Sequence, residues 1–373
     1  MISQKMCLVC VMDTSDPEIE FFGEEGCNHC KKMLEAKWVD WFPQEKLHPK
    51  MQALIDKIKI EGKNKEYDCI LGLSGGLDSS YLALKAYEWG LRPLVLHVDA
   101  GWNSELAVRN IQSILDYTSW DLHTVVIDWE IMRKLQIAYL KSGISNQDVP
   151  QDHSFFTNLL LYAKHNDIKW ILNGGNYSSE GIFASSWHGV SSMDSKNLNA
   201  IYRKFGQGKL EKYKKTSFFK LYFYYPKILK IRSIRPLNYL KYNLEAAKIE
   251  LKEKTGWQDY PRKHGESLFT RFFQDYYLIK RCKIDKRKAH YSSLIISQQI
   301  SREAALELLK KETFSESQIS REVNFISRKL QISEQELRKM IAQPVYDALQ
   351  LPNWMGQLKI LKNISQYLKS KTL

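Results

Sequence analysis

The sequence predicts an α/β fold with a doubly wound parallel sheet, an N-terminal zinc ribbon and a C-terminal helical region. Three observations support it: short apolar runs alternate with helical patterns in mid-chain, four cysteines form two early pairs, and helical patterns recur near the end. Strand–helix repeats of this kind imply parallel strands joined by right-handed crossovers. We expect three units, at residues 1–45, 46–260 and 261–373.

Composition limits the class of protein. A chain of 373 residues is long for a single core, and 44% hydrophobic with 12% aromatic residues excludes wholesale disorder. The net charge of +13 suits nucleic acid, anionic small molecules or an anionic membrane surface without choosing among them. The sequence has neither an apolar run long enough to cross a bilayer nor a signal peptide, so we expect a cytoplasmic protein without a transmembrane segment.

The first unit contains two C-x2-C pairs. Cys7 and Cys10 form one pair, Cys27 and Cys30 the other, and sixteen residues separate them. This spacing is typical of zinc sites, because each pair curls around one face of a tetrahedral ion. Neither pair is followed by histidine, which argues against haem attachment, and a cytosolic context argues against disulfides. We expect structural Zn²⁺, with free thiols or an iron–sulfur site as alternatives.

The α/β part is organised around residues 67–90. An apolar run over residues 70–73 predicts a buried strand, a glycine turn follows it, and a helical pattern then continues to Gly90. A helix start leaves backbone N–H groups unpaired and carries the positive end of the helix dipole. The strand, turn and helix therefore predict an anion site.

The side chains of this turn fit a phosphate and a metal ion. Ser74, Ser79 and Ser80 add hydroxyl donors to the backbone of Gly75 and Gly76. A bare phosphate would repel Asp78, so its presence indicates a magnesium ion shared with the phosphates. The alternative is an ordinary glycine turn of a doubly wound domain.

Further strands and helices follow. Strands are predicted over residues 93–98, 123–128, 169–172 and 231–236, and helices from Asn103 or Ser104, over 129–141, and over 243–255, where Gly256 stops the helix. Ligands of such sheets bind at the carboxyl ends of the strands. This rule selects Asp99 after the second strand and residues 173–176 after the fourth. Helix capping or an ordinary turn is the alternative for these residues.

Two further stretches leave their roles open. Residues 143–155 lack apolar periodicity, so we expect a loop over the crevice, in which Asp152 and His153 bind substrate or move a proton. A capping aspartate beside a satisfied histidine is the alternative. Residues 196–235 are basic and aromatic, and we favour packing with a solvated charged face over single-stranded nucleic acid or an anionic membrane.

The heptapeptide SGGLDSS resembles the PP-loop of the ATP pyrophosphatases, which split ATP between its α and β phosphates. A Walker loop spaces its glycines more widely and ends in Gly-Lys-Ser/Thr, whereas no lysine stands here. The resemblance implies a PP-loop (HUP-like) fold and binding of ATP with Mg²⁺. It implies pyrophosphate contacts from Ser74, Gly75, Gly76, Ser79 and Ser80, magnesium contact from Asp78, and nucleotide or metal contacts from Gly175, Asn176 and Glu180.

A narrower resemblance covers nearly the whole chain. The cysteine pairs, SGGLDSS, HVDAGWNSELAVRNI, NGGN and the block over residues 263–295 together resemble the N-acetyl sugar amidotransferases of surface-polysaccharide biosynthesis, of WbpG and PseA type. This implies ATP-dependent conversion of an acetamido group on a sugar to an acetamidino group, with release of AMP and pyrophosphate. The substrate-side and catalytic candidates are Lys263, His264, Glu266 and Arg271, with a salt-bridged helix surface as the alternative.

The resemblance also implies a partner. No glutaminase is evident in the sequence, so ammonia would come from a separate glutaminase subunit, similar to that of histidine biosynthesis. The expected substrate is an N-acetylated sugar or sugar acid, and nucleic acid is not an expected partner. Two alternatives are a tRNA-modifying PP-loop enzyme, which the zinc ribbon and positive charge would equally suit, and a non-catalytic scaffold with an ATP fold. The absence of a cysteine in the stretch over residues 143–155 argues against the sulfur-transferring tRNA enzymes.

Overall fold

The computed structural model describes residues 5–370, so the first four residues of the predicted ribbon and the last three of the predicted C-terminal unit lie outside it. Five strands form a parallel sheet: β1 (Cys69–Gly72), β2 (Pro93–Asp99), β3 (Leu122–Val126), β4 (Trp170–Leu172) and β5 (Arg232–Ile234). Their order is β3-β2-β1-β4-β5. The chain reverses its direction of winding between β1 and β4, which confirms the predicted doubly wound α/β class.

Helices surround the sheet and make up most of the C-terminal third. In chain order they are α1 (Asn28–Ala36), α2 (Pro49–Gly62), α3 (Leu77–Glu88), α4 (Glu105–Thr118), α5 (Trp129–Ser142), α6 (Val149–His165), α7 (Tyr177–Glu180), α8 (Ser185–His188), α9 (Ser195–Phe205), α10 (Leu244–Thr255), α11 (Leu268–Phe272), α12 (Arg287–Ile296), α13 (Arg302–Lys310), α14 (Glu316–Leu330), α15 (Glu334–Ala342) and α16 (Met355–Ser370). Two segments are π-helical, Lys220–Ile228 and Phe273–Cys282. Short 3₁₀ turns cover Gly23–Glu25, Pro236–Tyr239 and Ala348–Gln350.

Alternate residues of the central strand enter different cores. Ile70 packs with Leu94, Leu96 and residues of α6 on one face. Leu71 packs with Val95 and residues of α2, α3 and α10 on the other. Successive side chains of a strand point to opposite faces, so an uninterrupted apolar run is what a strand covered on both sides requires.

The helix boundaries follow the capping residues. The Ser104 hydroxyl accepts a hydrogen bond from the Ala107 N–H and begins α4, as predicted. Asn243 caps α10 in the same way, and Gly256 ends that helix with a φ of +76°. Each cap satisfies a backbone N–H that the helix itself leaves unpaired.

The loop predicted over residues 143–155 was wrong in its second half. Helix α6 begins at Val149 with Pro150 in its first turn, so Asp152 and His153 lie on a helix. Proline suits a helix start, since its missing N–H would be unpaired there. Most of the buried residues of the whole helix are polar, which hides the apolar periodicity, so tertiary packing sets the helix instead. The outer strands were also misplaced slightly, because β3 begins at Leu122 and β5 spans only three residues.

The cysteine-rich segment packs against the C-terminal helices. Its four cysteines, Met12 and Trp41 share one core cluster with buried residues of α11, α12, α14 and α15. The Val11 N–H donates to Ser292 of α12, and the Arg302 guanidinium donates to the carbonyls of Cys7 and Cys10. The cysteine-rich segment and these C-terminal helices therefore pack together, while the predicted unit boundaries stay a prediction.

In the part of the chain that the structure covers, every helix is too short or too polar to cross a membrane.

Candidate active site

The SGGLDSS loop joins β1 to α3 at the carboxyl edge of the sheet. Gly75 has a φ of +81°, and a Cβ built on it would lie 2.5 Å from the Ala107 carbonyl oxygen, so only glycine fits. Its own carbonyl accepts hydrogen bonds of 3.0 Å from the Trp257 indole and the Tyr260 hydroxyl. These bonds hold the turn in its open shape.

The start of α3 offers free donors. Among residues 5–370, the backbone N–H groups of Leu77, Asp78 and Ser79 have no hydrogen-bond acceptor. The hydroxyls of Ser74 and Ser79 lie 3.0 Å apart beside them. Ser80 is fully buried, so its hydroxyl does not reach this open side. The arrangement supplies the N–H groups, dipole and hydroxyls that an anion site needs.

Asp78 joins the two loops expected at the crevice. Its Oδ1 accepts from the Tyr242 hydroxyl at 2.6 Å and from the Asn176 amide at 3.0 Å. Gly174 packs so closely on this turn that a Cβ there would lie 3.2 Å from the Asp78 carbonyl oxygen. Burial raises the pKa of Asp78, and the positive charge of Lys263 opposes that rise. The structure thus brings Asp78, Gly175 and Asn176 to one place.

Glu180, Lys263 and His290 form a chain of polar contacts across the cleft. Glu180 Oε1 lies 3.0 Å from Lys263 Nζ, which in turn lies 3.1 Å from His290 Nδ1. Burial alone would raise the pKa of Glu180, but the charges of Lys263 and then His264 outweigh it and lower that pKa. Glu180 is therefore ionised near neutral pH.

The contact with Lys263 also defines the protonation of His290. Burial, then the Lys263 charge, lowers the pKa of His290 well below its ordinary value, so the ring is neutral. Nδ1 lies 3.1 Å from the Lys263 ammonium, which only donates, and 3.3 Å from the Ser179 carbonyl, which only accepts. The shorter contact makes Nδ1 the acceptor and places the ring proton on Nε2. That Nε2 is buried and has no partner within the part of the chain described. A buried donor without an acceptor is costly, so a ligand oxygen at this position would stabilise it.

Glu266 lies directly over the glycine loop. A Cβ built on Gly76 would come 3.1 Å from Glu266 Oε1, and His264 Nδ1 lies 3.7 Å from the same oxygen. Burial would raise the pKa of Glu266, but the neighbouring His264 lowers that pKa overall. His264 has a φ of +59°, which is uncommon for a residue other than glycine and is typical of functional sites.

A second charged group lies deeper. Asp148 Oδ1 accepts 3.1 Å hydrogen bonds from Thr270 and Gln151, and Lys286 is electrostatically coupled to Asp148 and Asp152. Burial raises the pKa of Asp148 to about 6, against the opposing charge of Lys286. Burial, then the negative charge of Asp148, raises the pKa of Asp152 to about 7. Asp152 therefore changes protonation near neutral pH.

Three predicted residues lie apart from this group. His153 is fully buried, and its ring is held by the Ser192 carbonyl and the Thr216 N–H. Arg271 pairs with Glu322 of α14. Asp99 accepts from the Gly101 N–H at 2.7 Å and lines a separate cavity of about 410 Å³ with Trp129 and Lys329. No hydrogen bond links these three to the SGGLDSS loop in the described range.

Sequence reasoning missed several members of the cleft. Four side chains were not selected as site residues: Tyr242, His290, Lys286 and Asp148. His97 of β2 was also missed. Its Nε2 accepts from Asn103, so Nδ1 carries the proton and donates to the Leu73 carbonyl at 2.8 Å, which fixes the entry to the loop. A histidine inside a buried apolar strand was the one available signal.

The four predicted zinc ligands converge. Their sulfurs lie 3.9 Å apart for Cys7 and Cys30, 3.8 Å for Cys10 and Cys27, and 3.7 Å for Cys27 and Cys30. A tetrahedral zinc ion with Zn–S bonds of about 2.3 Å separates its sulfurs by about 3.8 Å, so the geometry fits the ion. Backbone N–H groups of Val9 and Met12 point at two of the sulfurs. All four thiols are buried, as in a closed structural site.

The residues that the structure describes contain no comparable cluster of carboxylates. In the described part of the chain, only the four cysteines bring three or more metal-ligating groups within 4.8 Å of one another. A magnesium ion here would therefore take one or two carboxylates, such as that of Asp78, and complete its shell with phosphate oxygens and water.

The C-terminal side of the cleft matches a known family. Residues 266–364 fit the family described as LPS biosynthesis protein WbpG-like, C-terminal domain. We call residues 266–364, which this family model matches, the WbpG-like domain. The WbpG-like domain begins at Glu266, over the glycine loop, and also supplies Thr270, Lys286 and His290 to the cleft.

Whole proteins share little sequence with the chain. No curated protein is significantly similar to the chain. NMN synthetase from Francisella tularensis shares 15% identity over 77% of this chain and 98% of its own, with a TM-score of 0.35. The NH3-dependent NAD synthetase from Campylobacter jejuni shares 13% over 57% and 96%, with a TM-score of 0.28. Likeness at this level carries no conclusion about the chemistry of the cleft next to the WbpG-like domain.

Proposed function

We propose that the chain is an ATP-dependent, AMP-forming amidotransferase that converts an acetamido group of a surface-polysaccharide sugar to an acetamidino group. One observation carries the proposal. The anion-binding turn that holds Asp78 faces a Lys263–Glu180–His290 cluster completed by a WbpG-like domain. The family's description as an LPS biosynthesis protein supports the sugar as the substrate class.

ATP would bind with its β and γ phosphates on the glycine turn. The free N–H groups at the start of α3 and the hydroxyls of Ser74 and Ser79 fit phosphate oxygens. Asp78 would hold a magnesium ion that neutralises the phosphates. Asn176, which already contacts Asp78, keeps the carboxylate in place.

The chemistry needs an activated amide. An amide is a poor electrophile, because its oxygen leaves only after conversion to a better leaving group. The amide oxygen would attack the α phosphate of ATP, a P–O bond forms, and the bond to pyrophosphate breaks. Ammonia then adds to the imidate carbon, and AMP departs with the former amide oxygen.

The cleft residues have separate roles in this proposal. Lys263 and His264 stabilise the charge that develops at the α phosphate, and the free Nε2 proton of His290 is donated to a phosphate or amide oxygen. Glu180 fixes Lys263 through their ion pair. Glu266 orients the sugar over the loop. Arg271 acts at a distance by holding α11 to α14 through Glu322.

Ammonia must reach the imidate carbon unprotonated. At neutral pH most free ammonia is ammonium, so a separate glutaminase subunit is the proposed source. Asp152, whose pKa is raised to about 7 by burial and by Asp148, is suited to take the proton that the nitrogen loses on addition. We propose a cytoplasmic location, where ATP and glutamine are available.

The test is incubation with ATP, Mg²⁺, ammonium and a panel of N-acetylated sugars and sugar acids, followed by mass spectrometry. The proposal predicts a product in which NH replaces one oxygen, formed together with equimolar AMP. AMP formation with unchanged sugars throughout the panel would overturn the sugar assignment. Absence of AMP with every substrate would overturn the adenylation itself.

A further inference from the structure

A cationic and apolar surface lies on the π-helix over Lys220–Ile228, away from the residues assigned above. Three large apolar side chains point outward from it and its preceding residue: Phe219 and Ile228 are each 60% exposed and Phe223 is 36% exposed. Isolated exposed apolar residues are common, but a group of three on one short helix is not. We call these three residues the apolar triad.

The helix geometry places the apolar triad on one side. Phe219 and Phe223 are four residues apart, and Phe223 and Ile228 five apart. In a π-helix, which bonds residue i to residue i+5, both spacings return to the same face. Tyr225, on the opposite side, is buried against the sheet in the core beside β1 and β4. The inward face is satisfied by packing, whereas the outward face is unpartnered.

Positive charge surrounds the apolar triad. Residues 212–244 contain nine lysines and arginines and no aspartate or glutamate. Lys220 and Lys227 lie between members of the triad on the helix, and Lys230 and Arg232 follow it. All four side chains are exposed. With no acid among residues 212–244, these charges lack ion-pair partners on their own segment. An anionic partner would complement them.

We infer that the apolar triad and its surrounding lysines form a docking surface for an anionic lipid bilayer. Phe and Ile side chains enter the acyl boundary while lysines remain at the headgroups, as in interfacial helices. Single-stranded nucleic acid fits less well, since base binding uses open aromatic faces. The Phe219 and Phe223 rings stack on each other at 5.9 Å and 16°, which covers a face of each ring.

The experiment is co-sedimentation of the full chain with vesicles of phosphatidylglycerol and phosphatidylethanolamine, or of phosphatidylcholine alone. We expect binding to the anionic vesicles, weakened by salt, and little binding to phosphatidylcholine. The triple variant F219S/F223S/I228S should bind the anionic vesicles at least about tenfold more weakly, because it loses three apolar groups that bilayer insertion would bury.

A control variant removes three exposed apolar side chains elsewhere. The changes V39S/I60S/I249S alter residues that are 63%, 74% and 56% exposed on other surfaces, and vesicle binding should stay unchanged. Thermal unfolding checks that both triple variants are folded. Equal vesicle binding by the wild type and F219S/F223S/I228S would overturn the inference. Absence of vesicle binding by the wild type would also overturn it. If the wild type instead binds a single-stranded RNA oligonucleotide and F219S/F223S/I228S does not, the surface binds nucleic acid and the inference is wrong.

Discussion

The four-cysteine cluster and the cleft beneath the WbpG-like domain are both dense groups of ionisable side chains, but they are built differently. The cluster brings four residues of one short segment to spacings that a single ion satisfies. The cleft joins Asp78, Glu180, Lys263 and His290, which are far apart in sequence, and leaves a buried donor of His290 without an acceptor. The first group is therefore complete with one ion, whereas the second is completed only by a larger ligand.

The largest effect is expected at the cysteine cluster. Cys10→Ser removes one of four ligands, and structural zinc contributes about 10 kcal/mol or more of binding free energy to folding. We expect loss of bound zinc and a fall of at least 10 °C or so in the unfolding midpoint, consistent with several kcal/mol of lost stability. Elemental analysis and thermal unfolding measure both.

Cys282→Ser is the control, since Cys282 is a cysteine outside the cluster. It should keep the zinc and most of the stability. Full zinc content in Cys10→Ser would contradict a four-thiolate site.

Asp78→Asn should show the reverse pattern, with little change in stability and a large loss of activity. The amide keeps the size of the side chain but loses the charge that holds magnesium. We expect AMP formation to fall about 10³-fold, which corresponds to about 4 kcal/mol. Pyrophosphate release measures it, with the exposed Asp116→Asn as control. Wild-type turnover in Asp78→Asn would leave only a scaffold role for the loop.

Lys263→Met tests the ion pair on the other side of the cleft. It leaves the Glu180 carboxylate without its ion-pair partner, and we expect kcat/KM to fall about 10²-fold, or about 3 kcal/mol. Lys248→Met is a matched control. The Lys248 side chain is also 27% exposed and is paired with Glu245 and Asp259, but on α10. Equal losses in the two variants would show that the effect is structural.

The smallest effect concerns pH. Because burial and then Asp148 raise the pKa of Asp152 to about 7, the folded chain binds this proton more tightly than the unfolded chain does. The stabilising contribution is complete below about pH 4 and is lost as pH rises through about 7. Asp152→Asn should remove this loss, so at pH 8 the free energy of unfolding of the two proteins should differ by a shift on the order of 2 kcal/mol.

Unfolding of both proteins at pH 5 and pH 8 checks the sign. The wild type should lose stability relative to Asp152→Asn at the higher pH. If the stability of the two proteins changed with pH in parallel, the pKa of Asp152 would not be raised.

The cysteine cluster was predictable from the sequence, whereas most of the cleft was not. The cysteine cluster and the glycine loop were predictable because their geometry is encoded in spacings of a few residues, and the strand–helix alternation gave the sheet class. Asp148 and Lys286 come together only through tertiary packing, so no local pattern marks them. In the sequence Lys286 is one of six basic residues between positions 280 and 288, which does not single it out.

The errors have the same origin. Asp152 and His153 were assigned together because both lie in the stretch expected to form a loop over the crevice. On the helix that forms instead, His153 is buried and contacts the Ser192 carbonyl, whereas Asp152 lies in the electrostatic field of Asp148 and Lys286. Arg271 was selected with its neighbours but pairs with Glu322, a residue fifty-one positions later. A role that depends on which side of a helix a residue occupies requires the helix boundary, which the sequence did not define here.

In the proposed reaction, the amide oxygen of the substrate becomes attached to AMP in this cleft. The most direct measurement uses an N-acetylated sugar whose acetamido carbonyl carries a heavy oxygen isotope, with ATP, Mg²⁺ and ammonium. Mass spectrometry of the nucleotide product should find the heavy oxygen in AMP, one atom for each acetamidino sugar formed. Cleavage of ATP to ADP and phosphate, or AMP that carries only ordinary oxygen, would contradict adenylation of the amide oxygen.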